Sequence, residues 1–340
     1  MDSRISEKFK HFAVHECMGS SPLYEFLSLK IAEDWEMLEL ANKAKDGQPV
    51  PNLLFGAVHY LLMKGYEHPL AEFYPSLTNH PRSSDEAFTA FVDFCREFTE
   101  EMTEIIESKI VQTNEVRRCS YLYPVFSHIF KKVQKPLALI EIGSSAGLQL
   151  FLDQYSYSYG SGQIFGKPDS PVHLISKIKG QNNIFSEMDI PEVKTRIGID
   201  LHINDVKNTE DYLWLKALIW PEHHERRKLF EKAANFVANQ SLRLIEGDGV
   251  ELLKSLDAEI PDEQVICVFH THVANQMPDT TKKKLLDQVK QIGDRRDIFH
   301  IYNNMYDSSL HLDYYHDGKE SLKTIGETEG HGRWFSLNLR

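Results

Sequence analysis

Apolar side chains recur every three or four residues through the first 130 residues, which is the spacing of amphipathic helices. One such pattern starts with Leu23, Phe26 and Leu27, directly after Ser21-Pro22. A serine followed by proline supplies a capping side chain and a preset φ at the first helical position. Because no strand pattern precedes residue 136, the sequence predicts an all-helical N-terminal domain over residues 1–130.

Short apolar runs alternate with helix-patterned segments from Lys135 onward. The run at residues 137–142 is typical of a strand that is covered on both faces. Strands alternating with helices predict a mostly parallel, doubly wound α/β sheet, and the tail over residues 310–339 predicts a terminal antiparallel hairpin. Further strand-like runs lie at residues 196–200, 242–246, 265–270 and 298–302, and the helix-like segments at residues 148–155, 212–238 and 280–291.

The second domain is therefore expected over residues 131–340, with an insertion after its first helix. The sequence places 53 positions between Gly147 and Asp200, whereas compact nucleotide-binding units need about 20 at this point. We assign the excess to residues 156–195 and expect a hairpin in which residues 155–159 pair with residues 172–178.

Composition and charge narrow the class of partner. Hydrophobic residues make up 41% and charged residues 26% of the chain, which is typical of a globular protein with a large core. A formal net charge of −12 disfavours nucleic acid and anionic lipid as partners. Four widely spaced cysteines argue against a disulfide framework, and no apolar segment is long enough to cross a membrane. We expect a cytoplasmic protein with a small-molecule substrate, and its oligomeric state stays open.

The candidate chemistry lies at the ends of the predicted strands. The first strand leads into Gly143-Ser144-Ser145-Ala146-Gly147, where small residues permit close approach of a ligand to the backbone. The second strand ends at Asp200 and Leu201, and the Asp200 carboxylate could accept hydrogen bonds from a ribose diol. Asp248 and Gly249 follow the third strand, where a carboxylate could accept from an adenine amino group. Open α/β sheets bind ligands at these carboxyl ends, so the sequence predicts a nucleoside site.

This constellation resembles the class I S-adenosylmethionine-dependent methyltransferases. Their first motif is E/D-x-G-x-G-x-G, and Glu141, Gly143 and Gly147 match it, while Ser145 stands in place of the middle glycine. The resemblance implies a Rossmann-like methyltransferase core with S-adenosylmethionine as cofactor. Over its whole length the chain also resembles a bacterial family with a domain of unknown function that is grouped with Rossmann-like methyltransferases. The segments that carry this second resemblance are residues 21–24, 112–115, 141–148, 198–201 and 214–221.

The resemblance also implies roles for individual residues. Gly143 and Gly147 would flank the methionine part of the cofactor, Asp200 would hold the ribose and Asp248 the adenine. The full set of implied cofactor contacts is Glu141, Gly143, Ser144, Ser145, Gly147, Asp200, Leu201, Asp248 and Gly249.

Two histidines follow the fourth predicted strand. His270 and His272 would point to the same side of an extended chain, and an imidazole suits a general base for methyl transfer. A hydrogen-bonded histidine at a strand end is the simpler alternative. A metal site built on this pair is disfavoured, so we predict none.

A polar cluster precedes the helix that enters the first strand, and it offers amide, carboxylate and guanidinium groups to a substrate. A helix cap with a solvated charge pair would explain the same residues. The candidate substrate-binding residues are Gln112, Asn114, Glu115 and Arg117, with Arg118 beside them.

The favoured function is methyl transfer from S-adenosylmethionine to an unidentified small molecule. A non-catalytic S-adenosylmethionine-binding, nucleotide-binding or scaffold protein on the same fold is the main alternative. Residues 143–147 also match G-x-S-x-G, the nucleophile elbow of serine hydrolases, with Ser145 as nucleophile and Asp248 and His270 or His331 as partners. A nicotinamide dehydrogenase is disfavoured because the spacing G-x-G-x-x-G is absent.

Overall fold

The chain folds into two compact units in a computed structural model that describes residues 3–180 and 188–339. One unit comprises Met1–Thr113 with Lys207–Lys228, and the other comprises Asn114–Val206 with Leu229–Arg340. The sequence led us to expect a single boundary near residue 130. The helix at Cys119–Val133 belongs to the sheet unit instead, because its apolar face packs on a central strand, with the rings of Phe126 and Phe269 5.4 Å apart.

The first unit is all-helical, as its apolar spacing predicts. Ser21 caps the second helix by accepting a hydrogen bond from the Tyr24 N–H at 3.2 Å, and Pro22 occupies the first helical position. Among the described residues before position 136 there is no strand. Its helices are α1 (Ser3–Phe12), continued by a π-helical turn (Ala13–Cys17), α2 (Pro22–Ile31), α3 (Trp35–Ala41), α4 (Val50–Lys64), α5 (Ala87–Glu97), α6 (Thr99–Ser108) and α8 (Thr209–Ala217).

The core of this unit is rich in aromatic rings. Tyr24 stacks on Phe55 at 4.2 Å, and both side chains are fully buried. Trp214, on α8, is also buried and donates its indole N–H to the Ile110 carbonyl at 2.9 Å. The segment Lys207–Lys228 therefore supplies part of the core that residues 1–113 leave open.

The second unit is built on a large, mostly parallel nine-stranded sheet. Its central strands are β1 (Leu137–Ile142), β6 (Val193–Asp200), β7 (Arg243–Glu246), β8 (Val265–His270) and β9 (Ile298–Tyr302), which confirms the five runs read from the sequence. In space they lie in the order β7-β6-β1-β8-β9, and all are parallel. The order reverses between β1 and β8, which is where open α/β sheets form a crevice.

An antiparallel extension completes the sheet, as the tail of the sequence predicts. β10 (Ser309–His316) runs antiparallel to β9 and pairs with β11 (Lys319–Thr328) through the turn at Asp317-Gly318. β12 (Trp334–Leu337) pairs antiparallel with β11, and β5 (Lys177–Ile178) is parallel to β12 at the edge.

The insertion forms a small separate sheet rather than the expected hairpin. β2 (Ser156–Ser158) pairs antiparallel with β3 (Ile164–Gly166) and parallel with β4 (His173–Ile175). The expectation that residues 155–159 and 172–178 form a hairpin is therefore wrong, because turns at Gly160 and Gly162 reverse the chain earlier and make β3 the hairpin partner. The part of the insertion at residues 181–187 lies outside the described residues.

The helices of the sheet unit are α7 (Cys119–Val133), α9 (His224–Ala238), which includes the boundary at residue 228, α10 (Gly249–Asp257) and α11 (Asp279–Gly293). The segment at residues 148–155 is a short 3₁₀ helix, Leu148–Gln154, kinked at Phe151. Leu253 of α10 and Leu285 of α11 pack on one face of the sheet with Ile140 and Val268. In the described part of the chain no helix has the length and apolarity that a membrane span requires.

Candidate functional site

The turn after β1 has a left-handed backbone at three positions. The φ angles of Gly143, Ser145 and Gly147 are +76°, +48° and +69°. The N–H groups of Gly143 and Ser144 donate to the Ile199 carbonyl at 2.7 and 3.1 Å, and this ties the turn to the end of β6. The turn therefore lies at the carboxyl edge of the sheet, next to the β1/β8 reversal.

Asp200 also contacts this turn. Its Oδ2 accepts the Ser145 N–H at 2.8 Å, and its Oδ1 accepts the His202 N–H at 3.1 Å. These two contacts hold the carboxylate against the turn at the end of β6. The next side chain, Leu201, is 76% exposed. The end of β6 thus presents a carboxylate beside an exposed apolar side chain.

Two asparagines hold the Ser145 side chain. The Nδ2 groups of Asn114 and Asn204 donate to Ser145 Oγ at 3.0 and 3.1 Å, and Asn114 Oδ1 accepts the Ala146 N–H at 3.3 Å. Ser145 is only 4% exposed. The structure thus brings Asn114, a predicted substrate contact, onto the turn, and gives it the role of holding Ser145.

The two glycines of the turn make room for the chain's own side chains. A Cβ on Gly143 would lie 2.3 Å from Val273 Cγ2, and one on Gly147 would lie 2.7 Å from Leu242 Cδ2. Both approaches are too close for any larger residue. The space over these α-carbons is therefore filled by Val273 and Leu242 and not open to a ligand.

Asp248 caps a helix. Its Oδ1 accepts the N–H groups of Val250 and Glu251 at 2.8 and 3.3 Å, which satisfies the first turn of α10. A Cβ on the neighbouring Gly249 would lie 2.8 Å from Ile142 Cγ2, so this glycine lets α10 approach β1. The structure places both residues near the end of β1 and gives each of them a structural role.

Glu141 is a buried carboxyl at the end of β1. It is 2% exposed, and its Oε2 has no hydrogen-bond partner among the described residues. Burial raises its pKa well above the usual range, Asp200 raises it further, and Arg118 lowers it. Ser144 Oγ is likewise buried without a partner in the described part of the chain. Two unsatisfied polar atoms thus lie close together in sequence, one at the end of β1 and one on the turn that follows.

The residues before α7 form a buried polar cluster. Glu115 Oε1 accepts the Arg117 N–H at 3.2 Å, and Glu115 Oε2 lies 3.3 Å from His331 Nδ1. Arg118 donates from Nε to the Gly330 carbonyl at 3.0 Å and from Nη1 to the Thr271 carbonyl at 3.3 Å. These contacts join the segment to the loops after β8 and β11. Gln112, the remaining predicted substrate contact, belongs to the helical unit.

His270 lies on the other face of the sheet. Its strand neighbour Phe269 contacts Phe126 of α7, so alternation turns His270 away from α7. His270 Nε2 is 3.1 Å from Nε2 of the fully buried His300. Burial lowers the pKa of His270 to about 3, which makes it a poor acceptor of protons at neutral pH.

His272 is held at its backbone and at its ring. Its N–H donates to Asn303 Oδ1 at 2.9 Å, and its Nδ1 lies 3.0 Å from Asn304 Nδ2. The φ angle of His272 is +58°, so the chain is no longer extended there and the expectation that His270 and His272 share one side is not met. Burial, followed by the charges of Arg118 and His331, lowers the pKa of His272 to about 3.

Left-handed backbone recurs at this edge in residues other than glycine. Ser145 follows β1, His272 follows β8, and Asn304 follows β9 with φ of +55°. Left-handed backbone is uncommon in residues other than glycine, although asparagine and histidine adopt it more often than most, and it clusters at functional sites. Three of them at the ends of three neighbouring parallel strands mark the carboxyl edge as the candidate site.

The residues of a serine-hydrolase triad are not brought together. Ser145 bonds to two amides, Asp248 caps α10, His270 pairs with His300, and His331 pairs with Glu115. Each partner that the nucleophile-elbow hypothesis requires is thus engaged elsewhere.

A family comparison covers nearly the whole chain. The model of a bacterial family, described as an uncharacterized protein conserved in bacteria (DUF2332), matches residues 6–337. The chain belongs to this family. Its membership confirms the expectation of a bacterial family with a domain of unknown function. Searches of curated proteins and of solved structures gave no match, so any functional inference for this family member depends on the site itself.

Sequence reasoning missed several residues of the site. Asn303 and Asn304 directly follow β9, and the strand-end rule that selected Asp200 could have found them. Asn204 lies four positions after Asp200, and no sequence signal marks it. Within the described residues, one group of carboxylates and histidine is compact enough for a metal, namely Asp297, His316 and Asp317. This group lies at the opposite end of β9, outside the candidate site.

Proposed function

We propose that the protein is an S-adenosylmethionine-dependent methyltransferase that acts on a small molecule. The observation that carries the proposal is the hydrogen bond from the Ser145 N–H to Asp200, which joins a left-handed turn after β1 to a carboxylate at the end of β6. The strand order β7-β6-β1-β8-β9 supports it, because a nucleoside binds beside such a reversal.

The residues present fit the nucleoside part of this cofactor. Asp200 would accept the ribose hydroxyls, and the exposed side chain of Leu201 would cover one face of the adenine. The unsatisfied Ser144 Oγ and Glu141 Oε2 would face the polar end of the molecule. Val273 fills the space over Gly143, so the approach would follow Asp200 and Ser144 and not the glycine α-carbons. When bound, the cofactor would supply a methyl group on a positively charged sulfur.

The base role suits His331 better than His270 or His272. His331 is about one-third exposed, and the buried Glu115 carboxylate lies 3.3 Å from its Nδ1. The Glu115 carboxylate would orient the imidazole, and His331 would take the proton that the acceptor releases as it gains a methyl group.

A non-catalytic S-adenosylmethionine-binding protein is the second candidate. Two observations favour it. Asp248 caps α10 and His270 contacts His300, so both candidate site residues make structural contacts.

Calorimetry with S-adenosylmethionine and S-adenosylhomocysteine tests the proposal. We expect micromolar binding to the wild type and to the exposed-loop control Asp46→Asn, and at least tenfold weaker binding to Asp200→Ala. Because Asp200→Ala also removes an acceptor from the turn, Leu201→Glu serves as a second variant, since an exposed position tolerates the change. The absence of binding to folded wild type would contradict the proposal, and equal affinity in all variants would contradict the site.

A further inference from the structure

His272 has a fixed orientation and one unused ring nitrogen. Asn303 and Asn304 hold its backbone N–H and its Nδ1, while the Nε2 is buried without a hydrogen-bond partner among the described residues. A buried polar atom without a partner is unfavourable, and a ring held in this way on a left-handed backbone is preorganised.

The partner of Nδ1 fixes the tautomer. The Asn304 amide nitrogen can only donate, so His272 Nδ1 must accept, and the single proton of the neutral ring lies on Nε2. A pKa of about 3 keeps the ring neutral at physiological pH. His272 therefore presents an N–H donor at this edge and not a basic lone pair.

The charged groups that face His272 favour a negatively charged ligand oxygen. Arg118 and His331 lower the pKa of His272 through their positive charge, and Glu329 opposes them. Arg118 is held at the loop after β8, where its Nη1 reaches both the carbonyl and the hydroxyl oxygen of Thr271 at 3.3 Å. An N–H donor under the influence of a guanidinium charge favours a carboxylate ligand.

We propose that His272, positioned by Asn304, binds a carboxylate group of the methyl acceptor through its Nε2–H. That the ligand is the methyl acceptor rests on the proposed function, whereas the carboxylate site rests on the geometry of the His272 ring and on the charge of Arg118. Asn304 is then a positioning residue, which acts by keeping the proton on Nε2. A small carboxylic acid is the expected class of substrate.

The tautomer is tested first, in the free protein. In selectively ¹⁵N-histidine-labelled wild type, with the His272 signals assigned from His272→Gln, we expect the Nε2–H tautomer at pH 7. Asn304→Asp should move the proton to Nδ1, since a carboxylate accepts from Nδ1–H. The control Asn239→Asp adds the same charge on an exposed helix end and should leave the tautomer unchanged. An Nδ1–H tautomer in the wild type overturns the proposal.

The ligand class is tested with propionate and its neutral counterpart propionamide. We expect propionate to shift the His272 Nε2 signal in a saturable way, and propionamide to leave it unshifted. Asn304→Gly keeps the left-handed backbone accessible without adding charge, and should weaken the propionate response at least tenfold. Equal responses to both probes, or none to propionate, would overturn the carboxylate site.

Failure of this inference is distinguishable from failure of the proposed function. If propionate shifts His272 while the wild type does not bind S-adenosylmethionine, the carboxylate site holds and methyl transfer is rejected. If Asn304→Gly binds S-adenosylmethionine normally and propionate does not shift the His272 signal of the wild type, the carboxylate site is rejected and the proposed function holds.

Discussion

Buried histidines are prominent at the scale of single residues. His59 is fully buried, its Nδ1–H donates to the Ala217 carbonyl at 2.8 Å, and its Nε2 accepts from Ser76 Oγ at 2.8 Å. Burial lowers its pKa to about 3. His270 and His300, in the sheet unit, are buried neutral rings as well, with pKa values that burial lowers. Such rings bind protons only when the chain unfolds.

The protein should therefore lose stability as the pH falls. The unfolded state takes up a proton per buried histidine below a pKa of about 6.5, while the folded state does not, so the stability present above that pH is lost as the pH falls toward the folded value. Between pH 7.5 and 5, the His59 ring should lower the free energy of unfolding by about 2 kcal/mol. We expect His59→Asn to reduce the loss measured by urea unfolding at the two pH values by that amount. An unchanged loss, or an equal change in the exposed control His15→Asn, would contradict the assignment.

At the residue scale, the sequence predicts the position of Asp200 at the end of a strand, and the structure has it there. Asp200 ends β6, which lies beside β1, and its carboxylate therefore reaches the N–H of Ser145 on the turn after β1. The left-handed backbone of Ser145 could not be predicted, because it depends on Asn114 and Asn204, which approach from distant segments. The same holds for His272, whose orientation depends on two asparagines of another strand end.

At the scale of elements, one residue can both follow a strand and cap the next helix. Asp248 ends the connection from β7 and caps α10, and Asp34 caps α3 in the same manner, with Oδ1 accepting two N–H groups. A residue that caps a helix is needed for stability whether or not a ligand is bound.

Asp248→Ala should lower the free energy of unfolding by about 1 kcal/mol, and Asp248→Asn should leave it within a few tenths, because asparagine caps as well as aspartate. Asp34→Ala gives a matched loss of one cap in the helical unit. A larger loss in Asp248→Asn than in Asp34→Ala, measured by urea unfolding, would contradict a capping role. Calorimetry on Asp248→Asn then measures its role toward adenine without the loss of the cap.

Elements with a strong local pattern were predictable. The run at Leu137–Ile142 has the bounds read from the sequence, because both faces are covered and nearly every position is apolar. The pairing of β2 with β3 was not predictable, since three-residue strands carry too little pattern to choose a partner. Residues 212–238 form two helices instead of one, because Pro221 interrupts the pattern between α8 and α9.

At the scale of the whole molecule, sequence order and compact units do not coincide. The helical unit takes its last helix from Lys207–Lys228, after β6 has been made. Trp214 of that segment is 1% exposed and lies in the aromatic core, while Trp35 of α3 is 65% exposed. The sequence pattern predicted two units but did not assign Lys207–Lys228 to the helical unit, because the apolar spacing of a helix does not show which core the helix joins.

Trp214→Ala should therefore destabilise the helical unit strongly. A large aromatic removed from a core costs about 3–5 kcal/mol, whereas an exposed substitution changes stability by about 0.5 kcal/mol or less. Urea unfolding of Trp214→Ala and the matched Trp35→Ala measures the difference. Equal midpoints for the two variants would show that the segment is not part of this core.

The late arrival of Lys207–Lys228 constrains how the protein is made. A ribosome exposes residues 1–113 well before the segment that closes their core, a wait of roughly ten seconds at ordinary translation speeds. During that interval the early strands are also outside the exit tunnel without β7, β8 and β9 beside them. The helical unit thus cannot complete its core until β1 and β6 of the sheet unit have been synthesised, and its nascent form keeps an unfinished apolar surface throughout that interval.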